Sequence, residues 1–328
     1  MNLEDPWYRN ARRGAAAVEH ELALRADLIA GAFSRWRRTT GHCWDEELTG
    51  SPERIFCFQL DGRWYVGFKT VSDYVVDHGM RGLFCSRIRW HNVVGTLTGL
   101  RTSATGVRVC FDPLDIPARR AAFAAITPTT ELLHPFPKHE EPGRETGSPE
   151  EGWFVSPERA EFLNLGESHI REYTVDRLGP GFRDRSGVVA YDPGCSTGKF
   201  LSTFASVNPD GIRTVGQDLS EQMVKYAAKH LDEVYHGDAA KPYLGNESAD
   251  IVFVRFLNFE VVTTAQAREI LPALVRTVMP GGLIVLLGHT PLLVGAAELA
   301  DENLRVRQTT ARQDDHVFQY YVCEKPLA

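Results

Sequence analysis

The sequence predicts an α/β protein whose second half forms a doubly wound, mostly parallel sheet with a C-terminal antiparallel hairpin. From about residue 155, apolar runs such as "GVVAYD", "ADIVFVRFL" and "LIVLLGH" alternate with helical stretches. This alternation is typical of a parallel sheet with helices on both faces. The last two strand-like runs, "LRVRQTTARQ" and "HVFQYYVCEKP", have no long helix between them. We therefore expect a hairpin at the edge of the sheet.

The first half has a different pattern and predicts a smaller α+β domain. Apolar residues at helical spacing predict a helix over about 14–38, and Asp61-Gly62 between two aromatic-rich runs predicts a two-residue hairpin turn. The runs "GVRVCFDP" and "PARRAAFAAI" predict a further strand and helix. Residues 138–152 are acidic, contain Pro and Gly, and lack apolar periodicity, as expected of a linker. The predicted domains are an N-terminal lid or substrate domain, 1–150, and a second domain, 151–328.

Helix ends place the helices of the second domain. A helix over about 157–178 precedes the strand "GVVAYD", and another begins after Gly198. The helix "SEQMVKYAAKHL" has Ser220 as its N-cap, and "TAQAREILPALVRTV" is expected to end at the Pro-Gly-Gly that starts at residue 280. The runs "IRTVGQD" and "EVYHGD" predict two further strands between these helices.

Composition and charge exclude several classes of function. The chain has 328 residues, 43% of them hydrophobic, and a net charge of −7, which does not favour nucleic acid or an anionic membrane as the partner. Neither a signal peptide nor an apolar run long enough to span a bilayer is apparent. The six scattered cysteines contain no C-x-x-C pair, which predicts reduced thiols and neither a zinc site nor a disulfide framework. We expect a cytoplasmic protein with a small-molecule substrate and no metal.

The stretch "YDPGCSTGKF", at 191–200, is a Gly-rich turn between a predicted strand and a helix. A P-loop would need Gly where Pro193 stands and a hydroxyl residue where Phe200 stands, and the spacing is not G-x-G-x-x-G either. It does spell G-x-S-x-G, but a hydrolase would also need an acid and a histidine, for which Asp250 with His289 or His316 are the available residues. Asp250 precedes its strand, which argues against that interpretation.

Three aspartates follow successive predicted strands, at the edge where such sheets bind ligands. A carboxylate at Asp192 suits a cationic amino-acid group, Asp218 can accept both hydroxyls of a ribose, and Asp238 can accept an adenine amino group. The backbone N–H of Ala239 can reach a ring nitrogen. Together these groups match S-adenosylmethionine (SAM), a nucleoside that carries a sulfonium and an amino acid but no phosphate.

The blocks "VVAYDPGCSTGKF", "VGQDLSEQM", "HGDAA", "ADIVFVRFLNF" and "VMPGGLIVLLGH" resemble, in order, those of class I SAM-dependent methyltransferases. The resemblance covers residues 155–328 and implies a Rossmann-like fold and SAM as cofactor. The residues it places at the cofactor are Tyr173, Asp192, Gly194, Ser196, Gly198, Asp218, Leu219, Met223, Asp238, Ala239, Arg255 and Phe256.

The use made of SAM stays open between two reactions and a third, non-enzymatic interpretation, a regulatory or structural module that binds SAM. Methyl transfer to a small-molecule acceptor is the first expectation, with Tyr173, Asn258 and His289 as the residues next to the reacting groups. No Asn-Pro-Pro-Tyr block of the nucleic-acid amino-methylating enzymes is present, since the corresponding place reads "RFLNFE". The long, aromatic-rich N-terminal half is expected to cover the site. This layout is also similar to that of SAM-cyclising azetidine-2-carboxylate synthases, in which the α-amine of SAM attacks its own γ-carbon and methylthioadenosine leaves.

Overall fold

In a computed structural model of the chain, the described residues are 15–33, 37–38, 41–47, 54–70, 87–103, 106–134, 155, 157, 160, 167–258, 261–288 and 290–327. The predicted linker at 138–152 lies outside them. The chain divides into two compact units. One comprises Met1–His139, Gly143–Thr146 and Thr309–Gln319, and the other comprises Glu140–Pro142, Gly147–Gln308 and Tyr320–Ala328.

The first unit is built on a six-stranded antiparallel sheet with the strand order β1-β2-β6-β5-β4-β3. Its strands are β1 Arg37–Arg38, β2 Gly41–Glu47, β3 Ile55–Leu60, β4 Arg63–Phe68, β5 Val93–Ser103 and β6 Gly106–Pro113. The turn between β3 and β4 is the predicted one: Asp61 and Gly62 have φ values of 48° and 77°, as a type I′ hairpin turn requires.

Two helices contribute to the two cores of this sheet. Helix α1, Ala15–Ala30, belongs to one hydrophobic cluster with β3 to β6, and helix α2, Ile116–Ala124, belongs to another with β3 and β5. Along β3, Ile55 and Cys57 lie in the first cluster, whereas Phe56 and Phe58 lie in the second. This alternation is the period of two that a strand covered on both sides must have. Helix α1 ends earlier than the predicted 14–38, because Gly31 adopts a left-handed conformation with φ 69°.

The segment Thr309–Gln319 belongs to the first unit although it lies in sequence between two parts of the second, Gly147–Gln308 and Tyr320–Ala328. Val317 pairs with Ile88 in an antiparallel bridge, and the Gln319 side chain donates to the Leu132 carbonyl over 3.0 Å. The Arg312 guanidinium donates to the Phe123 carbonyl at the end of α2. The first unit is therefore discontinuous in sequence.

Cys43 on β2 and Cys110 on β6 form a disulfide. The two residues are directly opposed in the antiparallel pairing of these strands. The expectation that all the cysteines are reduced thiols is thus wrong for this pair. Sequence spacing could not reveal it, because the two cysteines are 67 positions apart and only the strand register brings them together.

The second unit contains a seven-stranded sheet with the order β12-β13-β11-β10-β7-β8-β9. Strands β7 to β11 pair in parallel, and β13 pairs antiparallel with β11, so the predicted α/β fold with its terminal hairpin is confirmed. The strands are β7 Val188–Asp192, β8 Ile212–Asp218, β9 Glu233–His236, β10 Ala249–Val254, β11 Val278–Leu287, β12 Arg305–Gln313 and β13 His316–Glu324.

Chain order reverses beside β7, because β8 and β9 lie on one side of it and β10 and β11 on the other. In open α/β sheets the ligand crevice lies at the carboxyl ends of the strands at such a switch point. The Gly-rich turn follows β7 and therefore stands at this crevice.

The helices of the second unit are α3 Ser168–Leu178, α4 Lys199–Ala205, α5 Glu221–Ala227, α6 Thr264–Thr277 and α7 Ala296–Asp301. Ser220 caps α5, since its hydroxyl accepts from the Met223 N–H. Of the predicted helix 157–178, the described part is α3 and single helical residues at 157 and 160. Helix α6 ends at Thr277, and the Pro-Gly-Gly sequence lies in the irregular start of β11. Among the described residues, no helix has the length and hydropathy needed to cross a membrane.

Candidate functional site

The turn after β7 is a close-approach turn. Ser196 and Gly198 have φ values of 51° and 77°, and Gly198 is the N-cap of α4. A Cβ atom on Gly194 would lie 2.5 Å from Cδ1 of Phe256, so Phe256 packs directly on the turn and no other residue type fits at Gly194 without displacing the ring. The Ser196 hydroxyl faces the Met223 sulfur at 3.8 Å.

The hydrolase interpretation fails on geometry. The Asp250 carboxylate accepts from the Val189 N–H over 2.9 Å and pairs with Arg185, which holds it at the start of β7 and not at its carboxyl end. His316 belongs to the first unit, where its Nε2 accepts from the Arg89 guanidinium over 2.7 Å. His289 lies outside the described residues. Within the described part of the chain, Ser196 therefore has no acid–histidine pair.

Asp192, the last residue of β7, forms an ion pair with Arg255, which follows β10. Arg255 Nε lies 2.9 Å from Asp192 Oδ2, and the two side chains are 6% and 0% exposed. The same guanidinium pairs with Glu167 over 2.7 Å and donates to the Gly194 carbonyl over 3.1 Å. Arg255 thus joins the strand end, the turn and the residue just before α3. The sequence predicted Arg255 and Asp192 as separate ligand contacts and did not predict that they pair.

Burial and ion pairing act in opposite directions on this pair. Burial raises the pKa of the Asp192 carboxyl, and the Arg255 guanidinium opposes that rise. For Arg255, burial alone would lower the pKa, but the charges of Asp192 and Glu167 outweigh it and raise the pKa. Arg255 is therefore a permanent cation that neutralises the carboxylate nearest the turn.

Asp218, at the end of β8, has one backbone donor on each carboxylate oxygen. Its Oδ2 accepts from the Ser196 N–H over 2.8 Å, and its Oδ1 accepts from the Ser220 N–H over 2.9 Å. Each oxygen keeps a lone pair with which it can accept from a further donor. Burial raises the pKa of Asp218.

The loop after β9 is organised by Gln217, which the sequence analysis did not single out. Its amide donates to the Asp238 carbonyl over 2.8 Å and to the Lys241 carbonyl over 3.2 Å. It accepts from the Tyr191 hydroxyl and from the Tyr243 N–H. All four hydrogen-bonding positions of a 2% exposed side chain are used. This fixes the loop in which Asp238 is exposed and Ala239 is buried.

The structure also describes three further residues predicted at the site, Met223, Leu219 and Asn258. Met223 is buried on α5 and packs with Val155 and Ala160, and the Leu219 carbonyl lies 2.9 Å from His236 Nε2. Asn258 is 3% exposed and pairs with Leu292 in a backbone bridge, which places it where β10 and β11 end.

Tyr173, on α3, contacts residues of the C-terminal hairpin. Its hydroxyl accepts from the Gln308 amide over 2.8 Å, and its ring packs edge-on against Tyr320 with centroids 5.0 Å apart. Those partners belong to β12 and β13, which lie beyond β10 and β11 from β7. A contact between Tyr173 and the ligand stays a prediction.

Aromatic residues of the first unit have partners inside that unit. Trp44 packs on Phe68, with centroids 5.5 Å apart, and the Arg120 guanidinium lies 4.0 Å from the centroid of Trp90. The cover over the site that the sequence predicts for this half stays a prediction.

Comparison with known proteins finds a family model that covers the site and a relative that covers most of the chain. A family model described as a methyltransferase domain matches residues 190–282, which include the turn, Asp218, Asp238 and Arg255. Isonocardicin synthase of Nocardia uniformis subsp. tsuyamanensis is 37% identical over 285 residues, covering 84% of this chain and 93% of that protein. A carboxy-S-adenosyl-L-methionine synthase of Glaesserella parasuis serovar 5 is 36% identical over 113 residues, 31% of this chain and 44% of that protein.

Among solved structures, the chain is similar to a SAM-dependent methyltransferase from Aquifex aeolicus, at 18% identity and a TM-score of 0.42, covering 52% of this chain and 99% of that one. Another is the [4+2]-cyclase SpnF, at 13% identity and a TM-score of 0.41, covering 56% of this chain and 89% of that one.

Proposed function

Since this chain belongs to the same family as isonocardicin synthase and contains a methyltransferase domain, we propose that it catalyses nucleophilic attack on the γ-carbon of SAM, with release of methylthioadenosine. The chain is a SAM-dependent enzyme of natural-product type. SAM supplies a sulfonium, which makes each of its attached carbons open to attack by a nucleophile. The proposed nucleophile is the α-amine of the same molecule, which would give azetidine-2-carboxylate.

The observation that carries this proposal is the Arg255–Asp192 ion pair. An unpaired carboxylate at the turn would hold the α-amine of SAM as a charged ammonium, which has no lone pair for attack. A guanidinium that already neutralises this carboxylate removes that stabilisation, and its positive charge favours the neutral amine. The same cation suits the α-carboxylate of SAM.

The proposed reaction needs no second substrate, because SAM supplies both the nucleophile and the leaving group. The amine nitrogen forms a bond to the γ-carbon, the bond from that carbon to sulfur breaks, and its electron pair stays on sulfur as methylthioadenosine. The nitrogen then loses its extra proton to solvent. The protein's part is to hold the amine in line with the breaking bond, which is where positioning contributes most to such displacements.

The names of the two curated relatives support this choice. Both are synthases, and neither name refers to methyl transfer. The name of the second relative states that it makes a carboxylated form of SAM, which supports a reaction other than methylation for this chain.

Methyl transfer to a small-molecule acceptor is the second candidate, favoured by the methyltransferase model that matches 190–282. In that case an acceptor nucleophile would approach the methyl carbon, and S-adenosylhomocysteine would be the product.

For binding, we propose that Asp218 accepts the ribose hydroxyls, that Asp238 and Ala239 contact adenine, and that the turn from Gly194 to Gly198 lies under the methionine part. The backbone donors on Asp218 support the first assignment, because they fix the orientation of its carboxylate at the end of β8. The loop fixed by Gln217 supports the second. Leu219, Met223 and Phe256 are proposed as apolar contacts.

The test is incubation of the purified full chain with SAM alone, followed by mass spectrometry of the products. We expect methylthioadenosine and an equal amount of azetidine-2-carboxylate. S-adenosylhomocysteine formed only on addition of an acceptor would overturn the proposal in favour of methyl transfer. Methylthioadenosine formed only when a second substrate is supplied would keep the γ-carbon as the target but replace the amine with an external nucleophile.

Arg255→Lys provides the matched variant for this experiment. It keeps one positive charge but loses the fork that reaches Asp192, Glu167 and the Gly194 carbonyl together. We expect turnover to fall while the product stays the same. A variant that turns over as fast as the wild type would remove Arg255 from the mechanism.

A further inference from the structure

Thr290 carries a buried hydroxyl group without a partner. The residue is fully buried, and its Oγ1 has no hydrogen-bond partner among the described residues. Buried polar atoms in proteins are nearly always hydrogen-bonded, and an exception calls for an explanation such as a ligand that completes the site. Valine would fill the same space without a polar atom, so packing alone does not account for threonine here.

The position of Thr290 is on the rim of the candidate site. It follows β11, three residues after Leu287. The residues just after Thr290 are hydrogen-bonded to the segment that follows β10. The Leu293 N–H donates to the Leu257 carbonyl over 2.8 Å, and Asn258 and Leu292 form a backbone bridge. A Cβ on Gly288 would lie within 3.5 Å of both the Thr290 and the Arg255 carbonyl oxygens. Thr290 thus belongs to the same rim as Arg255 and Asn258.

The strand order indicates which part of SAM would lie next to the residues that follow β10 and β11. The groups assigned to ribose and adenine follow β8 and β9, on one side of β7, whereas Thr290 follows β11, on the other side. Neighbouring strands are about 4.8 Å apart, so β11 lies roughly 10 Å from β7. A SAM molecule whose nucleoside lies at β8 and β9 extends its amino-acid end toward β10 and β11.

We propose that Thr290 is a binding residue for the amino-acid end of SAM, with its Oγ1 accepting a hydrogen bond from the α-amine. This proposal rests on the proposed function for the orientation of SAM. An amine N–H held by Thr290 leaves the nitrogen lone pair free to point at the γ-carbon. The hydroxyl would thus orient the nucleophile. Its Oγ1 has no partner among the described residues of the protein because its partner would be the amine of SAM.

The experiment compares Thr290→Val with Thr264→Val. Thr264, the first residue of α6, is also buried with an unpartnered hydroxyl, so it is matched in chemistry but not in position. Binding of SAM, S-adenosylhomocysteine and methylthioadenosine is measured by calorimetry. For Thr290→Val we expect SAM and S-adenosylhomocysteine to bind about tenfold more weakly and methylthioadenosine, which lacks the amino acid, to bind as before. For Thr264→Val we expect no change with any of the three.

Melting temperature separates a binding role from a structural one. Removing an unpartnered buried hydroxyl should leave the melting temperature of Thr290→Val unchanged or higher. Thr290→Ser, which keeps the hydroxyl, should retain the affinity for SAM and serves as the second variant if Thr290→Val does not fold. Unchanged SAM affinity in Thr290→Val, or an equal loss for methylthioadenosine, would overturn the proposal.

This test is independent of the identity of the product. If the wild-type enzyme makes S-adenosylhomocysteine, the proposed function fails, but the binding difference at Thr290 still stands. If it makes methylthioadenosine and Thr290→Val binds SAM normally, only the assignment of Thr290 fails.

Discussion

Arg255 Nε and Asp192 Oδ2 lie 2.9 Å apart, and neither side chain is more than 6% exposed. The pair joins the segment after β10 to the end of β7, across the point where the chain order of the sheet reverses. It therefore stabilises the edge of the crevice as well as setting the charge there. Both properties can be measured separately.

Arg255→Gln should destabilise the protein by about 3–5 kcal/mol, because it leaves the buried Asp192 carboxylate without its cation. The measurement is the free energy of unfolding in urea. The double variant Asp192→Asn with Arg255→Gln should recover a large part of the loss, since no buried charge is then unpaired at this position. Equal stability of the single and double variants would show that the pair does not form.

Asp218→Asn should weaken SAM binding by roughly thirtyfold, or about 2 kcal/mol, because the amide accepts hydroxyl hydrogen bonds less strongly than a carboxylate. Calorimetry on the folded variant tests this, with Asp232→Asn as a control, since Asp232 accepts from Thr214 on β8. The same loss in both variants would point to a general effect on the strand.

The affinity for SAM should also depend on pH through Asp218. Burial raises the pKa of this carboxyl, so protonation begins at a higher pH than for an exposed aspartate. The protonated acid has fewer lone pairs for the ribose, and affinity should therefore fall as the pH is lowered through this raised pKa. In Asp218→Asn this part of the pH dependence should vanish, and its persistence would assign it to another group.

Gly194→Ala should cost about 1–3 kcal/mol of folding stability, because the new methyl group would overlap the Phe256 ring. Gly245→Ala is the matched control, since a Cβ there meets nothing within 4 Å. Thermal unfolding of the two variants gives the comparison. Equal melting temperatures would mean that the ring moves aside at no cost.

Cys43→Ser with Cys110→Ser should lower the stability of the first unit by about 2–4 kcal/mol, because the bond closes a long loop in the unfolded chain. Peptide mapping without reductant should recover the linked peptides from the wild type. Free thiols at both positions in the oxidised, purified protein would contradict the pairing.

Local features of the fold were readable from the sequence, and long-range pairs were not. The Asp61-Gly62 turn and the Ser220 cap depend on adjacent residues with defined backbone preferences, and both are as predicted. The Arg255–Asp192 pair joins residues 63 positions apart and depends on β7 and β10 being neighbours.

The residues of the candidate site likewise fall into those that the sequence indicated and those that it did not. The acids at strand ends could be found because each follows its own strand. Gln217 and Thr290 could not, since one lies within a strand and the other is notable only for an unpartnered atom.

The discontinuity of the first unit bears on how the protein is made. Three carbonyls near the end of α2, those of Phe123, Ile126 and Pro128, accept from Arg312 and Thr309, which the ribosome reaches some 180 residues later. The N-terminal unit cannot complete its hydrogen bonding until nearly the whole second unit has been synthesised. Until then these carbonyls lack their partners from the later segment, and the part of the first unit that this segment contacts is left uncovered. Chaperones can bind the incomplete unit during this interval.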